Sequence, residues 1–146
     1  MRTAIRRRAA LIVTAALLPG LLAACGSSTP ISPDQSSVAF SITELTVGTG
    51  DEAVAGKTAS VNYNLWLYND SAADKKGTQV GPGSFSFILG LGQVIPGFEQ
   101  GVTGMRVGGT RRVIVPPSLA YGATGNVPTI PPNAALVFEV ALVAIQ

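Results

Sequence analysis

The chain has no histidine, one cysteine and one tryptophan in 146 residues, and only 12% of it is charged. Without histidine there is no Ser-His-Asp or Cys-His arrangement and no imidazole metal ligand. A lone cysteine excludes an internal disulfide, so the folded part must be stabilised by its core. The eight acidic residues are scattered and form no paired motif. Gly90-Leu91-Gly92 resembles a fragment of a dinucleotide loop, but no third glycine opens a helix and no distal acid follows in a βαβ unit. No metal or cofactor is expected. Nor is nucleic acid, which would call for a clustered basic face.

The basic residues that do cluster lie at the N-terminus. Arg2, Arg6, Arg7 and Arg8 precede an apolar run from Ala9 to Leu22, interrupted by Thr14, Pro19 and Gly20. Charge, length and the small residues that follow read as a secretory leader over residues 1–24. The run is too short and broken to span a membrane comfortably. Leu22-Ala23-Ala24-Cys25 resembles the bacterial lipobox, in which the cysteine is acylated and becomes the first residue after cleavage. Cys25 is therefore the expected lipidation site. One acyl chain binds a membrane only marginally, so a stable anchor needs several. The expected location is extracytoplasmic, lipid-anchored to the cell membrane. Removing the four leader arginines leaves six basic against eight acidic residues, a formal net charge of −2.

Residues 25–37 read as the lipidated cysteine and a polar tether, semi-extended through Pro30 and Pro33. Residues 38–146 read as one globular domain, long enough to bury its own core. Apolar and polar residues alternate over Phe40–Val47, which predicts a half-buried strand. Gly48–Gly56 reads as a turn. Lys57–Tyr68 predicts a strand with Val61, Tyr63, Leu65 and Leu67 on one face. Asn69–Gly83 reads as a long loop, with room for an edge strand at Thr78–Val80. Further strands are expected at Ser84–Leu89, at Thr110–Val115 and, centrally, at Ala135–Ile145. Pro96 and Gly104 bracket the one short helix. The sum is an α+β domain in which one helix covers one face of an antiparallel sheet of about five strands.

Aromatic and branched residues gather at strand ends and loop bases in the C-terminal half. Taken singly, Phe87 and Phe138 read as core, Tyr63 equally as a core tyrosine, and Ile95 as an apolar residue at a helix entrance. Tyr121 differs, because Ala120-Tyr121-Gly122 lies in a loop, where aromatics more often meet ligands. Six segments in order then carry a resemblance. They are Val61-Asn62-Tyr63, Phe85 to Gly90, Val94 to Val102, Met105 to Gly109, Ala120 to Ala123 and Ile130 to Val140. From Gly48 to its end the chain resembles the FK506-binding-protein (FKBP) type of peptidyl-prolyl cis-trans isomerase.

That resemblance implies a curved antiparallel sheet wrapped around one short helix. It also implies a pocket lined by Tyr63, Phe85, Val94, Ile95, Phe98, Tyr121, Ile130 and Phe138. Phe98 takes the floor, the Ile95 backbone N–H and the Tyr121 phenol meet ligand carbonyls, and Phe87 supports the core. Partners would be proline-containing polypeptides, with an apolar residue favoured before proline, and FK506-like macrolides. A monomer is expected, assisting the folding of secreted or envelope proteins. Three departures bear on this. Val80-Gly81 stands where the family often has Phe-Asp, and Phe98 stands where it usually has Trp. Thr124–Thr129 replaces a loop that often carries His. They imply reduced macrolide affinity and leave a second reading, a proline-peptide-binding chaperone or scaffold that turns over poorly. A third is a structural envelope lipoprotein with a filled pocket.

Overall fold

A computed structural model describes residues 34–146 of the chain. The expected leader, Cys25 and the tether up to Pro33 lie outside the described residues. Five strands, β1 (Ser41–Thr46), β2 (Thr58–Tyr68), β3 (Lys76–Ile88), β4 (Thr110–Val115) and β5 (Leu136–Ile145), form one antiparallel sheet. Its order is β1-β4-β5-β2-β3. The α+β architecture expected from the sequence, with five strands and one short helix, is the one observed. β5 is central, with Leu136, Phe138, Val140 and Leu142 buried on one side and Val137 on the other. β2 alternates as its sequence requires: Val61 and Leu65 are buried, while Asn62 between them is exposed.

The single helix, α1 (Pro96–Val102), follows β3 and begins on proline. Seven residues are too few to be stable alone, so its packing must hold it in place. Gly97 and Gly101 provide that packing, since a Cβ at Gly97 would collide with Val115 and one at Gly101 would fall 2.7 Å from Val113. Glycine at both positions lets the helix backbone lie directly on β4.

Two expectations are corrected. The long loop expected over Asn69–Gly83 is short, because β3 begins at Lys76 and runs through Gly81-Pro82-Gly83. An edge strand has one side without a neighbour, so the missing N–H of Pro82 breaks no ladder on that side. Val80 is the extra residue where the β2–β3 register shifts between Leu65 and Trp66. The strand β1, expected to be half-buried, is exposed along its whole length. It lies at the other edge, beyond β4, where α1 does not cover it.

Ahead of β1, Gln35 is fastened to the domain. Its carboxamide donates to the Tyr68 carbonyl at 3.1 Å and accepts the Ala135 N–H at 2.7 Å. It thereby continues the β2–β5 ladder by one rung. Among the described residues, no helix is long and apolar enough to cross a membrane.

Candidate active site

The inner face of β2 and β5 meets the first turn of α1 in a cavity of about 330 Å³. Tyr63, Leu65, Phe85, Gln93, Val94, Ile95, Phe98, Tyr121 and Phe138 line it. Phe98 projects from α1 into the middle of this group and is only 2% exposed. Its ring meets Phe138 edge-on at 5.1 Å, Tyr63 edge-on at 5.7 Å and Phe85 in a tilted contact at 5.5 Å. These separations are the favoured ones for aromatic pairs, so the rings hold one another in place. Tyr63 can lean across to Phe85 because it lies over Gly83, where any Cβ would strike the phenol ring.

The loop between β3 and α1 is held by two side chains. Gln93 accepts the Ile88 N–H at 2.8 Å, and the Glu99 carboxylate accepts the Gly90 N–H. Ile95 stands at the N-cap, and its carbonyl accepts the N–H groups of Phe98 and Glu99. Its own N–H has no backbone acceptor among the described residues. Tyr121 is 37% exposed at the mouth, on a loop folded back by the bond from Gly122 N–H to the Pro117 carbonyl and tied by that from Asn133 N–H to the Gly122 carbonyl.

Seven of the eight residues expected in the pocket line this cavity. Ile130 does not. It exchanges two backbone hydrogen bonds with Asn126 and is buried in the core beneath the loop. Phe87 is buried against Phe98 from behind and stays out of the lining. Leu65 and Gln93 line the cavity without having been singled out. Leu65 had a signal, as it shares the face of Tyr63 two residues away. Gln93 had none beyond adjacency to Val94. Val80 packs on the core, and neither it nor Gly81 reaches the cavity.

No charged side chain lines the cavity. The groups with displaced acidities lie elsewhere. In the β2–β3 turn, Lys75 and Tyr68 hydrogen-bond the Asp70 carboxylate and hold it below its usual range. On the outer sheet face, burial pushes the Glu139 carboxyl up, but hydrogen bonds from Lys76 and Arg112 outweigh it and leave the group below its usual value. A larger depression of about 730 Å³ lies between Asp34–Ala39 and the β2–β3 turn, but its lining is mostly polar and includes none of the clustered rings. Among the described residues no cluster of three or more potential metal ligands occurs. The cavity therefore offers an apolar, aromatic wall and a few neutral donors. Such a site can bind and distort a planar group, but has no ionised residue with which to move a proton.

Comparison with known proteins gives a consistent picture. Residues 50–143 match the family model of the FKBP-type peptidyl-prolyl cis-trans isomerase. An FK506-binding protein of Neisseria meningitidis serogroup A is 41% identical over 104 residues, covering 71% of this chain and 94% of that protein. The 46 kDa FK506-binding nuclear protein of Spodoptera frugiperda is 47% identical over 102 residues, 70% of this chain, but the match spans only 24% of the insect protein. A crystal structure of a peptidyl-prolyl cis-trans isomerase from Pseudomonas syringae pv. tomato superposes with a TM-score of 0.61 at 30% identity, covering 80% of this chain and 84% of that one.

Proposed function

The chain belongs to the FKBP-type peptidyl-prolyl cis-trans isomerases, and from that premise we propose that its cavity on Phe98 isomerises X-Pro bonds in secreted or envelope polypeptides. An X-Pro bond resists rotation because resonance gives it partial double-bond character. Uncatalysed exchange takes tens to hundreds of seconds. At the transition state the amide is twisted and has lost its charge-separated resonance. An uncharged aromatic cavity favours that state over the polar planar one, which is catalysis by differential binding. The prolyl ring would sit on Phe98 between Tyr63, Phe85 and Phe138. The free Ile95 N–H and the Tyr121 phenol would donate to the flanking carbonyls. A gain of about a thousandfold requires only roughly 4 kcal/mol of such complementarity.

The observation that carries this reading is the coincidence of a closed aromatic cluster with an unspent backbone donor at its edge. Exposed Leu91 and Val127, on the loops around Ile95 and Tyr121, favour substrates with an apolar residue before proline. FK506-like macrolides would use the same cavity with reduced affinity, because no carboxylate lines it. The location follows from the leader and Cys25. Gln35 is fastened to the domain ten residues after Cys25, so an acylated Cys25 would keep the domain within about 35 Å of the membrane. Cys25→Ser should release the protein from the membrane fraction.

Proline-limited refolding of a slow-folding test protein checks the activity. The chain should accelerate the slow phase. Binding of a proline peptide with no acceleration would favour the chaperone or scaffold reading instead, with the departure at Val80-Gly81 the first place to look.

A further inference from the structure

The helix that carries the cavity floor rests on β4 through glycines. Gly97 and Gly101 bring α1 close to Val115 and Val113, but a glycine face has no side chain to resist sliding along a strand. The contact is close yet not directional. A slip of a fraction of a turn would move Ile95 and Phe98 together.

Arg111 supplies the missing direction. It precedes Val113 and Val115 on the same face of β4 and is 9% exposed. Its guanidinium donates to the carbonyls of Gly101 and Thr103, both at 2.9 Å, and of Gly104 at 3.3 Å. These are carbonyls at and just beyond the C-terminus of α1, where a cation also meets the negative end of the helix dipole. Such charge-assisted bonds in a rigid fork fix position as well as adding stability. The guanidinium is itself aimed by Glu44, whose carboxylate accepts the Nε–H at 2.5 Å. Glu44 lies on the exposed edge strand β1, ahead of the matched residues 50–143.

We propose that Arg111, aimed by Glu44, is a positioning residue that sets the register of α1 on β4 and so places the Ile95 N–H and the Phe98 ring for isomerisation. The proposal rests on the cavity reading above for its effect on activity, but not for its effect on helix position. Neither residue touches substrate. β1, which buries little, then has a role in holding Glu44 against Arg111.

The test uses four variants of the purified chain. Arg111→Met keeps the aliphatic stem and removes the fork; Arg111→Lys keeps the charge. Glu44→Gln keeps an acceptor but removes the charge that strengthens the aim, and Arg112→Met alters the adjacent arginine on the opposite face. The readouts are kcat/KM on an X-Pro peptide, melting temperature, and the amide resonance of Ile95 with the ring resonances of Phe98. A misplacement of about 1 Å can cost up to roughly a hundredfold in rate. Arg111→Met should lower kcat/KM by about tenfold or more and shift both sets of resonances. Arg111→Lys should recover part of the loss, and Glu44→Gln should fall between wild type and Arg111→Met. Arg112→Met should leave kcat/KM and the resonances unchanged. Should Arg111→Met fail to fold, Glu44→Gln carries the test alone. Wild-type Ile95 and Phe98 resonances in folded Arg111→Met and Glu44→Gln would overturn the proposal, whatever happens to melting. If wild type proves inactive, the resonances still decide the positioning role separately from the isomerase reading.

Discussion

On the inner face of β2 and β5, Tyr63, Leu65 and Phe138 meet Phe98 around an uncharged cavity. On the outer face, one residue along the same strands, Glu139 pairs with Lys76 at 2.6 Å and with Arg112 at 2.9 Å. Lys76 also lies 4.3 Å from the ring centre of Trp66, and Ser60 bonds Ser86 at 2.7 Å across β2 and β3. Strand alternation separates the two chemistries by a single residue. On these two strands the ionic groups keep to the outer face, and the inner face of β2 and β5 stays free of charge; the buried Arg111 lies on the neighbouring β4, outside the cavity. For a reaction that twists an amide out of resonance and moves no proton, that separation is the useful arrangement. A charge among the rings would stabilise the planar, polar amide and raise the barrier.

Substitutions on the two faces should therefore separate activity from stability. The largest effect is expected for Phe98→Ala. It removes the shared partner of four rings and should cost about 3–5 kcal/mol of stability, read by denaturant unfolding. Activity in the fraction that remains folded should be nearly abolished. Tyr121→Phe, at the mouth, removes one hydrogen-bond donor and little packing. A few-fold loss of kcat/KM with an unchanged melting temperature is expected, in line with about 0.5–1.5 kcal/mol for one hydrogen bond.

Glu139→Gln should have the smallest effect and the opposite signature. Activity should be unchanged, and stability at neutral pH lower by about 1 kcal/mol. The sign with pH follows from the depressed carboxyl. A group whose folded value lies below its unfolded one stabilises above the unfolded value and loses that contribution as pH falls through the folded one. The melting-temperature advantage of wild type over Glu139→Gln should thus be full at pH 7. It should shrink below the ordinary glutamate value of about 4.3, and vanish in stronger acid.

The same two faces show what could be read from sequence. Alternation in β2 placed Tyr63 and Leu65 together, and Pro96 with Gly104 marked the helix, because these are local patterns with local causes. The ordered aromatic segments brought seven cavity residues into view. The course of β3 was hidden, since Gly81-Pro82-Gly83 has turn composition and is accepted in a strand only because that strand is an edge. Ile130 turns inward through its backbone bonds to Asn126, which no side-chain pattern announces. Arg111 and Arg112 look alike in sequence yet lie on opposite faces. What makes Arg111 tolerable when buried is a set of carbonyls supplied by a different element, and such a partner is visible only in three dimensions.

The central claim is that substrate is held on the inner aromatic face. The most direct test is an amide and aromatic resonance titration of the protein with a short X-Pro peptide. The account predicts saturating shifts at Ile95, Phe98, Tyr63 and Tyr121, with Asn62, Thr110 and Glu139 unmoved. Saturating shifts on the outer face, or none at Ile95 and Tyr121 under conditions where the peptide is isomerised, would contradict it.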